Sequence, residues 1–458
     1  MKIPRIMIAA GSSGSGKTTI TCGLLKALKN RGLKTVSFKC GPDYIDPMFH
    51  KTILDTPSKN LDTFFTDTAT VCQLMSETAY GSDISVIEGV MGYYDGAGIK
   101  THTASSYELA NVTGTPVIFI VNARGMGISI IPYIKGFLEY KKNSGIKGII
   151  LNETSEMVYN TLKPVIEKEF NITVAGFLPK MPGCHFESRH LGLVTPDGIT
   201  DIKEKIENIS IKIEQCIDID KIISIAGTAP YIEIQPFQIT PVCSYGKIRI
   251  GVAMDEAFCF YYEDNLKLLE KLGAELIYFS PLHDNMLPAD INGCILGGGY
   301  PELYLDGLSN NTSMLKSINH AFTTLQMPYI AECGGFLYLH ENMEDTNHHN
   351  YKLAGVIQAD ALYKKHLQHF GYINLSPADN TTGKKREIKA HEFHYYDSTD
   401  NGSCFIAQKP FRDTSWNCIH QNGQGFAGFP HLYLYSNPGY ARRFVQKCLD
   451  YSLLRKDS

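Results

Sequence analysis

No run of about 18 uninterrupted apolar residues occurs in the 458-residue sequence, so no membrane-spanning helix is expected. No CxxC pair occurs either. The twelve cysteines are scattered from Cys22 to Cys448, which excludes a zinc ribbon or a thioredoxin-type site and reads as mostly reduced, buried thiols. Charge of one sign is not in excess: 43 Lys and Arg oppose 47 Asp and Glu, a net charge of −4. A general polyanion binder with a basic surface is thereby excluded, and no nucleic-acid partner is expected. The start, Met1-Lys2-Ile3-Pro4-Arg5-Ile6, lacks the apolar core of a signal peptide, so a cytoplasmic protein is expected. No repeat or low-complexity segment is evident.

The remaining composition, 43% apolar and 20% charged, is that of a globular protein, and the length allows about three domains. In the first half, short apolar runs alternate with amphipathic stretches: strands over 6–10, 35–40, 84–87, 117–121, 148–151 and 173–178, with a helix over 17–31. Such runs predict a parallel sheet covered on both faces. A polar, proline-bearing stretch follows, and the pattern restarts with strands over 248–253, 275–279, 294–296 and 329–331 and a helix over 262–272. The expected architecture is α/β throughout. It comprises an N-terminal domain over 1–195, a connector over 196–246 with a short helix or two, and a second α/β domain over 247–458. The polar tract Glu341 to Asn350 reads as a loop.

Gly11-Ser12-Ser13-Gly14-Ser15-Gly16-Lys17-Thr18 matches G-x-x-x-x-G-K-[ST] between a predicted strand and a predicted helix. Glycines let backbone N–H groups curl around phosphate oxygens, and the helix N-terminus adds positive potential. Gly14, Ser15, Gly16, Lys17, Thr18 and Thr19 are thus nucleotide-binding candidates: Lys17 for the β- and γ-phosphates, the Thr18 hydroxyl for Mg²⁺. Carboxylates for that ion are sought at strand ends. Asp43 and Asp46 follow the second strand, and Glu88 ends a later one ahead of a Gly-rich loop carrying Asp95. The aspartates read equally as turn residues. Glu88 is better placed, because a carboxylate ending a buried strand needs a partner. Asn152, at another strand end, offers an amide to a nucleotide base or serves as a turn or cap.

In the second half, Tyr329-Ile330-Ala331-Glu332-Cys333-Gly334-Gly335 runs strand, cysteine, two glycines, helix. That is a nucleophile elbow, and the helix N-terminus is expected to lower the thiol pKa. Upstream, the glycines before Tyr300 offer an oxyanion hole at Gly298 and Gly299. The base is sought at His431, with His391 and His394 as rivals. His366 and His369 with that pair offer a metal set that the spacing does not demand.

The blocks in order are the Gly-rich loop, Lys39 to Pro47, Glu88 to Gly92, Arg189 to Leu193, Glu332 to Gly335, and His391 to His394. Together they resemble the cobyrinate a,c-diamide synthase family along essentially the whole chain. The second half then resembles a class I glutamine amidotransferase. The resemblance implies ATP-Mg²⁺-driven phosphorylation of the c- and then the a-carboxylate of cobyrinic acid, with ammonia from glutamine displacing each phosphate. It implies Cys333 as the nucleophile and His431 as its partner. Thr18 and Glu88 would be Mg²⁺ ligands with Asp43 or Asp46 as a third, Asp46 and Asp95 activation residues, and Arg189 and His190 partners for the tetrapyrrole's carboxylates. Tyr433 departs from the family, where a second His is common, and stands where many class I glutaminases carry Glu. Ala390 replaces a usual Gly and Asn122 a usual Asp. Substrates of the same chemistry are Ni-sirohydrochlorin and hydrogenobyrinate. A MinD/ParA-type switch ATPase is the rival of another class, but Ser12 stands where that class carries an extra Lys. Oligomeric state is not encoded in these motifs.

Overall fold

The computed structural model describes residues 1–184, 196–234, 238–244, 247–379, 387–421 and 423–455. They divide into two compact units, Met1–Phe237 and Gln238–Ser458.

The first unit carries seven strands: β1 (Arg5–Ala10), β2 (Thr35–Cys40), β3 (Ser58–Leu61), β4 (Ile84–Glu88), β5 (Val117–Asn122), β6 (Ile146–Asn152) and β7 (Thr173–Leu178). Its helices are α1 (Lys17–Asn30), α2 (Ile45–Ile53), α3 (Thr68–Ala79), α4 (Ser106–Val112), α5 (Ile130–Glu139), α6 (Glu156–Phe170), α7 (Pro196–Cys216) and α8 (Ile219–Gly227). The sheet order is β3-β2-β4-β1-β5-β6-β7, and every pair is parallel. Every residue of β1 and β2 is buried, and from Ile6 to Ala10 β1 is apolar without a break, as a strand covered on both faces requires. Arg5 is the exception in β1. Its guanidinium bonds the carbonyls of Ile3, Thr113 and Pro230, so a buried charge is fully dressed and the chain start is tied to the segment after α8. Because all strands run one way, the ends of β1, β2, β4 and β6 open on one edge of the sheet, where ligands bind in such folds.

The stretch expected as a connector behaves differently. Helix α7 is 21 residues long, and its Ile206, Ile209 and Ile213 are buried against Ile20, Leu24, Leu25 and Leu28 of α1. The first unit therefore runs on past residue 195 and includes α8. Polar residues between the isoleucines masked an amphipathic helix whose apolar stripe completes the core.

In the second unit a five-stranded parallel sheet has the order Gly425–Gly428, Tyr329–Glu332, Gly293–Leu296, Ile248–Ala253, Ala274–Phe279. A second, mainly antiparallel sheet of seven strands was not foreseen. Its centre is the long pair Ile357–Pro377 and Ile388–Ser398, and His431–Leu432 lies along its edge. The tract expected as a loop contributes to it: His340–Glu344 pairs antiparallel with Asn350–Lys352 around a tight turn. Polar residues there face solvent on an edge, so composition imitates a loop.

Candidate functional site

At the phosphate end, the chain leaves β1 and turns through Gly14 and Gly16 at φ 75° and 92° before α1 begins at Lys17. A Cβ on Gly16 would collide with the Asn152 side chain, so the left-handed turn and the close approach both demand glycine there. Asn152 Nδ2 donates to the Ser15 carbonyl at 2.9 Å, and Ser15 Oγ lies 3.1 Å from Ser12 Oγ. The Asn152 amide thus braces the loop from the end of β6. Thr19 is half-buried in the first turn of α1. Lys17 Nζ donates to the carbonyls of Ser12 (3.0 Å) and Met91 (2.7 Å). Met91, in the Gly-rich loop after Glu88, takes φ 47°.

Thr18 Oγ1 donates to Glu88 Oε1 at 2.6 Å. The same oxygen receives Lys39 Nζ at 3.0 Å, and Lys39 also pairs closely with Asp46 Oδ2. Lys39, at the end of β2, is the central cation of this cluster, yet only its place in the Lys39 to Pro47 block marked it in the sequence. Burial works against its ammonium, but Asp46, Glu88 and Asp43 hold it charged far into the basic range. Burial pushes Glu88 up to about 7, with Asp46 adding to it. Burial also opposes the charge of Asp46, but Lys39, by its charge and its hydrogen bond, holds it below the usual carboxylate range. Burial, then Asp46, lifts Asp43 to about 6, and its Oδ1 accepts the Ile45 N–H at 2.8 Å at the start of α2. Burial, then Lys39, brings Lys17 down to about 8, while Glu88, Asp95 and Asp46 oppose that shift. Asp95 Oδ2 accepts the Gly92 N–H at 3.0 Å and holds the turn of that loop.

Lys17, Thr18, Asp43, Asp46, Glu88 and Asp95 therefore meet at one sheet edge. Glu88 Oε2 is buried without a hydrogen-bond partner, and the neutral His50 ring is 3.7 Å away, its pKa brought down to about 4 by burial. An orphaned carboxylate oxygen beside a Thr hydroxyl is a donor set of hard oxygens, which suits Mg²⁺. Among the described residues no three His, Cys, Asp or Glu side chains form a metal cage. Mg²⁺ in nucleotide sites needs none, since phosphates and water complete its shell. The histidines near residue 391 accordingly form no metal set. Arg189 and His190 lie outside the described residues.

At the cysteine end, Cys333 stands at φ 46° between Tyr329–Glu332 and the short helix Gly334–Tyr338. Its N–H donates to the Gly428 carbonyl at 2.9 Å, and Gly335 N–H to that of Gly297 at 2.8 Å. A Cβ on Gly335 would collide with the Leu296 carbonyl, so the elbow closes only with glycine there. Gly297 N–H donates to Tyr261 Oη at 2.8 Å, and Phe260 N–H to the Gly298 carbonyl at 3.0 Å, which pins the Gly-rich loop. Gly299 N lies 3.1 Å from where a Cβ on Gly334 would stand, so the loop is pressed to the elbow. The His431 ring packs on Gly298 so closely that a Cβ there would collide with it.

The expected lowering of the Cys333 thiol pKa is corrected. Burial raises it far above the ordinary value, and the charges of Glu302 and Glu392 raise it further. A helix of five residues has too small a dipole to outweigh these. A carboxylate lies near His431 without being at Tyr433: Glu332 Oε2 is 3.8 Å from His431 Nδ1, beyond hydrogen-bond distance, and Glu332 Oε1 accepts the Leu432 N–H at 3.2 Å. Tyr433 turns away and donates to Asp264 Oδ2 at 3.2 Å. Of the rival histidines, His394 has both nitrogens engaged, Nδ1 with the Tyr396 carbonyl (2.6 Å) and Nε2 with Glu392 (3.2 Å). His391 pairs across strands with His431, and burial brings its pKa down to about 3.

A phosphate-loop nucleotide domain followed by a cysteine–histidine elbow domain defines an ATP-dependent glutamine amidotransferase ligase. Residues 6–193 match the CobQ/CobB/MinD/ParA nucleotide binding domain, and residues 249–438 the CobB/CobQ-like glutamine amidotransferase domain. The chain is 38% identical over 450 residues to the cobyrinate a,c-diamide synthase of Caldanaerobacter subterraneus, covering 96% of this chain and 98% of that one. It is likewise 38% identical over 444 residues to that of Listeria innocua (95% and 97%), and 35% identical over 467 residues to that of Thermoplasma volcanium (100% of each). The chain belongs to the cobyrinate a,c-diamide synthase family. Among the described residues no helix is long and apolar enough to cross a membrane.

Proposed function

We propose that the protein amidates the a- and c-carboxylates of cobyrinic acid, with ATP and glutamine as co-substrates and Mg²⁺ at the phosphate end, in the cytoplasm. The observation that carries the reading is the pairing of Thr18 and Lys39 on Glu88 beneath the phosphate loop, in a chain that also carries the Cys333 elbow. Thr18, Glu88 and Asp43 would hold the ion. When bound, it would supply charge neutralisation to the phosphates.

The loop's N–H groups and Lys17 bind the triphosphate, Lys17 exchanging the Ser12 and Met91 carbonyls for phosphate oxygens. A substrate carboxylate oxygen attacks the γ-phosphorus and ADP leaves, giving an acyl phosphate. Ammonia attacks its carbonyl carbon, phosphate leaves, and the nitrogen loses a proton. At the other site the Cys333 sulfur attacks the γ-carbonyl of glutamine, its proton passing to His431 and on to the departing ammonia. Gly298 and Gly299 stand beside the elbow for the oxyanion, and water releases glutamate from the thioester. Arg189 and His190 would face the tetrapyrrole's carboxylates.

The test is mass spectrometry of the product formed with ATP, Mg²⁺ and glutamine from cobyrinic acid and, separately, from Ni-sirohydrochlorin or hydrogenobyrinate. Two added amides on the cobalt corrin are expected. Amidation of the nickel compound alone would move the protein to a different tetrapyrrole with the chemistry intact. Lys17→Ala is expected to abolish synthesis from glutamine and from ammonium, and Cys333→Ser from glutamine alone.

A further inference from the structure

Two carboxylates act on the Cys333 thiol and have no task in the steps above. Glu302 lies in the turn Pro301–Leu303 that follows the Gly-rich loop. That turn is pressed to the elbow, with Pro301 Cδ 3.0 Å from the place of a Cβ on Gly334. Only its own backbone N–H favours the charge of Glu302, and burial lifts its carboxyl to about 7. Glu392 is buried in Ile388–Ser398, where its Oε2 meets His394 and its Oε1 has no hydrogen-bond partner. Lys409 is the cation that feels Glu392, but its ammonium donates to the carbonyls of His369 and Phe370. Tyr396 follows Glu392 and His394 at alternate positions of the strand, hence on the same face. Its hydroxyl is buried without a partner, and the charge of Glu302 reaches it.

Buried carboxylates without a cation are costly, and a site keeps them when its ligand brings the cation. Glutamine with its γ-amide at the sulfur brings an α-ammonium and an α-carboxylate. We propose that Glu302 and Glu392 hold the α-ammonium of glutamine while the Tyr396 hydroxyl donates to its α-carboxylate. The inference rests on Cys333 being the glutaminase nucleophile. It adds a consequence: when ionised, the two carboxylates oppose the thiolate in the empty site, and the ammonium removes that opposition, so the nucleophile forms in the presence of its substrate. Amides without an α-amino group are refused.

The full-length protein is assayed for ammonia release from L-glutamine and from glutaramate, which has the same amide and no α-amino group. The unaltered protein is expected to prefer glutamine by about 100-fold in kcat/KM. Glu302→Gln and Glu392→Gln are each expected to cut that preference about tenfold or more, through KM. Each is also expected to speed alkylation of Cys333 by iodoacetamide several-fold, which damaged packing alone would not do. Tyr396→Phe is expected to raise KM for glutamine about tenfold. If the Glu392 variant does not fold, Glu302→Gln, in the short turn Pro301–Leu303, carries the test. An unchanged preference in a protein that still requires Cys333 would overturn the clamp alone. Ammonia release that survives Cys333→Ser would overturn the clamp and the nucleophile together.

Discussion

Glu332 and His431, far apart in the chain, meet with Oε2 and Nδ1 3.8 Å apart because each ends up beside the elbow on a different sheet. Glu332 immediately precedes the nucleophile, so one strand end delivers the thiol and places a carboxylate beside its histidine. Glu332→Gln keeps the shape and the bond to the Leu432 N–H but removes the charge. It is expected to lower kcat for glutamine hydrolysis about 10- to 100-fold with KM within twofold, measured by steady-state glutamate release.

Gly298 is fixed by the His431 ring lying against it. A methyl group at this position moves the imidazole rather than the backbone. Gly298→Ala is expected to reduce glutamine-dependent synthesis about 100-fold while the thermal unfolding midpoint stays within a few degrees. A normal rate would show that the ring swings clear without penalty.

Asn152 is bonded to the Ser15 carbonyl, so its effect on ATP is expected to run through the loop backbone. Asn152→Leu removes the donor and leaves a buried carbonyl unpaired, a loss of about 1–3 kcal/mol. KM for ATP is expected to rise about tenfold or more, with the nucleobase preference unchanged. A changed preference between ATP and GTP would mean that the amide reads the base.

His340 gives a pH dependence of known sign. Its ring is buried, bonded to the Phe336 carbonyl (2.9 Å) and to Ser398 Oγ (2.7 Å), and burial brings its pKa down to about 4. Unfolded, it titrates near 6.5. Between those values the unfolded chain takes up a proton that the folded chain refuses. Its contribution is present above about pH 6.5 and is lost as pH falls, by about 1.4 kcal/mol per unit. Urea unfolding of the unaltered protein and of His340→Gln between pH 7 and 4.5 should show a shallower fall for the variant. Parallel curves would reject the assignment.

The parts of this structure that the sequence revealed share one physical property: local chemistry. Strands buried on both faces read as apolar runs, and β2, β7 and Ile248–Ala253 end where composition changes. The Gly-rich loop and the Cys-Gly-Gly elbow are short motifs whose glycines are set by backbone geometry a few residues away. What stayed hidden depends on pairing at long range. Strand β3, Ser-Lys-Asn-Leu, sits at the sheet edge and looks like a loop. The long pair Ile357–Pro377 and Ile388–Ser398 is interrupted by register shifts, so its alternation breaks. Lys39 becomes a site residue only when β2 lies beside β4, and Glu332 only when His431 reaches it across two sheets.

Helix α7 has a bearing on how the protein is made. The phosphate loop opens into α1 within the first 30 residues, yet the isoleucines that cover α1 leave the ribosome only after the whole parallel sheet has been synthesised. A nascent chain cut short at β7 would show the uncovered flank of α1 to every chaperone and protease it meets. The nucleotide site, although written first, is among the last parts of its unit to be finished.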